Sequence, residues 1–207
     1  EAQVDIEVAY VAVPLGEVED LIKRDGGVTA DTLMQVWKDG KGKLVGFAKL
    51  LTPPGQEASV KATIEYIYPT EYALQGGNIS GGVHQQGGTA AMLPGGFETR
   101  EVGVIITAKP EVTSGPVVVT VSMGTDMVLD PDWYTYGQTN SVTGSDMRMP
   151  FFHRDTVSTT VKVHEGKTVI VGGANKRPNS DVLFTLLTVN LVDFGGKPIA
   201  KPAEKKR

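Results

Sequence analysis

Cysteine is absent, so disulfides, thiolate nucleophiles and cysteine-ligated metal sites are all excluded. No apolar run reaches the length that a membrane-crossing helix requires. Positive charge is not in excess either. Twenty lysines and arginines stand against 24 aspartates and glutamates, a formal net charge of -4, and no basic face is expected to hold nucleic acid. Histidine is scarce: His84, His153 and His164 share no H-x-x-x-H or H-E-x-x-H spacing, which leaves no zinc pattern. The phosphate-cradling patterns G-x-G-x-x-G and G-x-x-x-x-G-K-[ST] do not occur. Ser80, Ser114, Ser141 and Ser145 lie outside any G-x-S-x-G elbow. Asp126, Asp130 and Asp132 are close enough in sequence to suggest oxygen ligands for calcium, but they lack the loop spacing of such a site. The chain is therefore read as a non-enzyme with no cofactor and no metal.

What is present is turn chemistry and period-two alternation. The 207 residues include 25 glycines and 12 prolines, and they suffice for a real hydrophobic core. Gln3 to Val13 alternates as a half-buried strand, which Pro14 closes. Leu15, Val18, Leu21 and Ile22 then recur at helical spacing until Gly26-Gly27. Thr29 reads as the N-cap of a second short helix, with Leu33, Met34, Val36 and Trp37 on its apolar side and Asp39-Gly40 as its stop. From Leu44 onward the pattern is that of strands. Val60, Ala62, Ile64 and Tyr66 share one face of the stretch Ala58 to Tyr68. Later strands are expected at residues 98–110, 116–123 and 154–163, with a hairpin turn at His164 to Lys167 and Thr168 to Val171 pairing back. Val182 to Val192 is the most apolar stretch and suits the centre of a sheet.

Two excursions interrupt the alternation. Residues 73–97 hold four Gly-Gly pairs and almost no charge, which reads as a flexible loop. Residues 130–150 are polar and carry Trp133, Tyr134 and Tyr136. Those three aromatics and Phe97 are the candidate protein contacts, because aromatic side chains dominate many interface hot spots.

From Glu98 onward the order of features resembles the C-terminal domain of outer-membrane secretins, the ring-forming channels of type II and III secretion and type IV pili. The stretch Glu98 to Pro110 carries Gly103-Val104, and a valine-rich strand follows. Pro150, Arg154 and Thr159-Thr160-Val161 fall in the family's order, as do Glu165 to Gly173 and the apolar stretch Asp181 to Val189. Upstream, Val4 to Val13 and Leu50 to Val60 look like the family's opening segments. The region matching the membrane-crossing hairpins, 130–150, is polar and broken by Pro131, Gly137 and Gly144, which points to a soluble, diverged relative lacking the family's preceding small modules.

The expected fold is mainly β: an immunoglobulin-like β-sandwich with two short helices in the N-terminal half covering one end or edge. The alternative is a secretin-like twisted double β-sheet. Residues 1–196 are expected to form a single domain, followed by a basic flexible tail at 197–207. The resemblance implies an exported accessory of type IV pilus or secretion machinery, in the periplasm or at the outer membrane or cell surface. Its partners would be other machinery proteins or further copies of itself. A self-assembling ring and a carbohydrate-binding surface module using Trp133 and Tyr134 are the rival readings.

Overall fold

The computed structural model describes residues 2–75, 91–113, 118–136, 147–175 and 181–199. Val117, Ser114, Gly115, most of the tail and the middles of both excursions lie outside these residues. The fold is mainly β with two short helices, as expected. It divides into two compact units, one made of Glu1–Ala62, Val104–Met127 and Asp155–Arg207, the other of Thr63–Gly103 and Val128–Arg154.

The first unit is built on strand β1 (Gln3–Val13), which pairs antiparallel on one side with β12 (Val182–Val192) and on the other with β2 (Lys43–Thr52). Strand β11 (Lys167–Asn175) completes an open sheet of order β11-β12-β1-β2. β1 is thus central rather than half-buried. Its even residues Val4, Ile6, Val8 and Tyr10 are fully buried on one face, while Val11 and Val13 are buried on the other. The apolar β12 is also central, as its composition anticipates.

Helices α1 (Leu15–Asp25) and α2 (Ala30–Lys38) pack on the second of these faces. Val18, Leu21, Leu33 and Val36 cluster there with Val11, Val13, Phe184 and Leu186. The helices therefore cover a sheet face and not an end or edge, because β1 and β12 both carry apolar residues outward at that height. Their boundaries follow the local signals. Gly26 takes φ +74 as the left-handed C-cap of α1. Thr29 and Thr32 form a reciprocal capping box at the start of α2.

The other sheet has the order β10-β7-β6-β3, from β3 (Ala58–Pro69), β6 (Phe97–Thr113), β7 (Val118–Val128) and β10 (Arg154–His164). Val104, Ile106, Ala108, Val119, Val121, Met123, Met127 and Val163 are among its buried side chains. They face the even residues of β1, so the first unit layers helices, sheet and sheet. The turn at Glu165-Gly166 forms with Gly166 at φ +72, but β11 does not pair back on β10. It crosses to the helix-covered sheet, and Gly166 N–H donates to Val189 O at 2.8 Å. A glycine turn sets a reversal of direction. It does not select the strand that receives the chain.

On the outer face of the helix-covered sheet, Lys49 Nζ lies 2.8 Å from both Asp5 Oδ2 and Glu7 Oε1. The Asp5 side chain is 8% exposed, and its second oxygen has no partner. Asp5 first, and Glu7 next, hold the Lys49 ammonium charged above its ordinary range. Lys49→Met is expected to cost about 1–3 kcal/mol, since it strands a buried acceptor, and Lys49→Arg should keep most of that. Urea denaturation of the two variants checks this.

Candidate functional site

The second unit gathers most of the exposed aromatic surface. Strand β8 (Asp132–Tyr136) pairs with β9 (Met147–Phe151) in the register Asp132↔Phe151, Trp133↔Pro150, Tyr134↔Met149, Thr135↔Arg148 and Tyr136↔Met147. Strand β4 (Tyr72–Gln75) pairs with β5 (Ala91–Pro94). Both excursions therefore begin and end in short ladders where the sequence reads as loop. Glycine and polar residues conceal such ladders, because backbone hydrogen bonds need no apolar alternation.

Strand alternation gives the β8–β9 hairpin two different faces. Trp133 and Arg148 share one. The Trp133 ring centroid lies 6.2 Å from that of Tyr66, and the Arg148 guanidinium stands 5.9 Å above the indole. Phe152 extends this cluster, at 5.9 Å from Tyr66 and 5.2 Å from Tyr68, with the Arg100 guanidinium 5.2 Å from its ring. Each such cation–π contact is worth roughly 0.5–1 kcal/mol near solvent. The Tyr68 hydroxyl donates to Glu98 Oε2 at 3.1 Å; burial first, and that carboxylate next, raise its pKa above the ordinary phenol range.

Two polar clamps hold the hairpin. The Tyr72 hydroxyl donates to Arg148 O at 2.6 Å and accepts from Arg148 N–H at 3.0 Å, satisfying both backbone groups of one β9 residue. At the hairpin base, His153 Nε2 lies 2.8 Å from Asp132 Oδ2, and Leu129 N–H donates to His153 O at 2.9 Å.

The opposite face carries Tyr134, Tyr136, Met149 and Phe151, all exposed, with Tyr134 and Phe151 in an edge-on contact at 4.8 Å. Phe97, at the start of β6, is 59% exposed. The structure thus separates the sequence-derived candidates. Trp133 touches Tyr66 yet is as exposed as Tyr134, at 37% each, and Tyr136 and Phe97 are more exposed still. Trp133 and Tyr134 lie on opposite faces, so they do not form one stacking platform for a sugar. Sequence reading missed Tyr66, Tyr68, Tyr72, Arg100, Arg148 and Phe152. Tyr66 and Tyr68 were visible as alternating aromatics, but nothing local marks the residues from other strands that meet them. Ile64, placed on the same face as Tyr66 by alternation, is 63% exposed.

The three aspartates do not assemble. Asp126 belongs to the first unit, where Thr156 lies 3.4 Å from it, while Asp132 is engaged by His153 in the second. Among the described residues no group of three or more histidines or acids is placed to hold a metal, and no helix is long and apolar enough to cross a membrane. His84 lies outside the described residues.

The described strands form two open four-stranded sheets and two short two-stranded ladders. Residues 36–183 match the family model of the bacterial type II and III secretion system proteins, and the chain belongs to this secretin family. The family is one of structural secretion-channel proteins associated with the outer membrane and periplasm. No curated protein sequence matches the chain. Among solved structures, the chain is similar to the InvG secretin domain β-barrel of the Salmonella SPI-1 injectisome, with 15% identity over 99% of this chain and 64% of that one, at a TM-score of 0.43. It is also similar to the type II secretion system secretin GspD of E. coli K12, with 12% identity over 94% of this chain and 48% of that one, at 0.41. Aeromonas hydrophila ExeD is a further match, with 16% identity over 92% and 48% of the two chains, at 0.40. The chain spans about half to two thirds of the length of these structures.

Proposed function

We propose that this chain is a structural, non-catalytic component of bacterial secretion or type IV pilus machinery, working by protein–protein contact after export to the periplasm or outer membrane. The observation that carries this reading is the secretin-family match over residues 36–183. Tyr134, Tyr136 and Phe97 are the contact anchors, since each offers a large side chain to solvent. Trp133, as exposed as Tyr134 and in contact with Tyr66, offers a further anchor on the other face of the hairpin.

Self-association into a ring is the second reading, favoured by a specific feature. Strands β10 and β3, of 11 and 12 residues, stand at the two ends of their sheet order. Edge strands of that length can accept another strand. Light scattering on the purified chain, with and without mild detergent, separates the two. A mass near 22.1 kDa supports an accessory that needs other partners. A ring-sized mass supports self-assembly, and Phe97→Ala with Tyr134→Ala and Tyr136→Ala should then shift it downward. A ring-sized mass untouched by those changes sinks their role as anchors.

A further inference from the structure

Strand β9 has two edges, and only one of them faces β8. In an antiparallel ladder a residue either exchanges both backbone groups with the residue opposite or turns both away from it, and the two kinds alternate. Arg148 stands opposite Thr135 and is of the second kind. Its N–H donates to the Tyr72 hydroxyl at 3.0 Å, and its C=O accepts from that hydroxyl at 2.6 Å. The backbone groups of Met147, Met149 and Phe151 are then turned toward β8, and those of Arg148 and Pro150 toward the outer edge. Proline has no N–H to offer. Within Met147–Phe151, every outward backbone donor is therefore either held by Tyr72 or missing.

Tyr72 comes from β4, which belongs to a separate two-stranded ladder of the same unit. One hydroxyl that donates to the C=O and accepts from the N–H of a single residue does what a residue of a third strand would do there. Arg148 is exposed, so bulk water would satisfy both groups as well. The contact is not needed to keep buried polar groups paired. What it changes is whether another strand can use them. Strand β8 differs: Trp133 and Thr135 turn their backbone groups away from β9, and among the described residues no strand pairs with β8 on that side.

We propose that Tyr72 and Pro150 form an edge seal. The hydroxyl takes the place of an added strand at Arg148, and the proline denies the next outward N–H, so a second copy of this chain cannot extend the hairpin along β9. A strand edge with open N–H and C=O groups otherwise templates pairing with another chain. A proline and a side chain laid on the edge both blunt it, and here they guard the two outward positions of a five-residue strand. The seal is independent of whether the chain acts as an accessory or within a ring, since β10 and β3, not β9, are the edges that a ring would use.

Amide exchange and light scattering test this with Tyr72→Phe, which keeps the ring and removes only the hydroxyl. In dilute protein the Arg148 amide should exchange roughly tenfold faster in the variant than in the wild type, the equivalent of one hydrogen bond. Met147 and Met149, paired to β8, should change by less than about threefold. At rising concentration the variant should form species larger than those of the wild type. Adding Arg148→Pro, which removes the N–H that an incoming strand needs, should return the mass to that of the wild type. An association caused by general destabilisation would survive that second change. Equal Arg148 exchange in wild type and Tyr72→Phe, equal acceleration at all three amides, no gain in mass, or a gain that persists with Arg148→Pro would each overturn the seal.

Discussion

Val121→Asp is expected to destabilise the chain by about 4–6 kcal/mol, enough to unfold a protein of ordinary stability. Val121 is fully buried on β7, on the face turned toward Val4, Ile6 and Val8. The substitution loses about 1.5 kcal/mol or more of apolar burial. It also brings a carboxyl into a layer whose side chains offer it no cation. Ionised, the group suffers a desolvation cost of several kcal/mol; protonated, it still leaves polar atoms unsatisfied. Urea denaturation followed by circular dichroism reads the outcome. A loss below about 2 kcal/mol would mean that the two sheets do not close on one another at this point, and the layered first unit would have to be abandoned.

The second large effect concerns Gly172 of β11 and Gly46 of β2, where a Cβ would press on a side chain of another strand. Gly172→Ala should cost about 1–3 kcal/mol, because its new Cβ meets Val157 Cγ2 at 2.7 Å. The methyl of a β-branched side chain in a strand has little freedom to withdraw. Gly46→Ala meets a contact of similar length, 2.9 Å, yet it should cost less. There the obstacle is the terminal methyl of Met127, on a flexible thioether that can swing aside. Combining Gly172→Ala with Val157→Ala should recover much of the loss, a coupling that a double-mutant cycle measures. Equal costs at the two glycines, or no recovery in the double variant, would show that the close approach is not what these positions require.

The aromatic cluster shows how far local pattern reaches. Trp133, Tyr134 and Tyr136 are neighbours in sequence and looked like one contact surface. Strand pairing puts Trp133 on the face that meets Tyr66 and the two tyrosines on the opposite face with Phe151. A hairpin ladder carried by polar residues and glycine has no apolar signature, so the alternation that would have separated these residues could not be read in advance. The same limit explains Ile64 and Ile67, which alternate or cluster as core residues do but are 63% and 65% exposed. Alternation establishes that a strand has two faces. Whether a face is covered depends on residues far away in the chain.

The secretin resemblance was legible because its pieces kept their order along the chain, even though each is a weak pattern alone. By itself the sequence determined the mainly β class, both helices and their caps, the central place of Val182 to Val192 and the family. These rest on propensity, capping and turn chemistry, which act within a few residues. Only the tertiary structure decided that β11 leaves β10 for the other sheet, that the helices lie on a sheet face, and that Gly172 and Gly46 come up against Val157 and Met127. Those outcomes depend on which strand becomes the neighbour of which, a choice set by packing between segments more than a hundred residues apart and invisible to any local window.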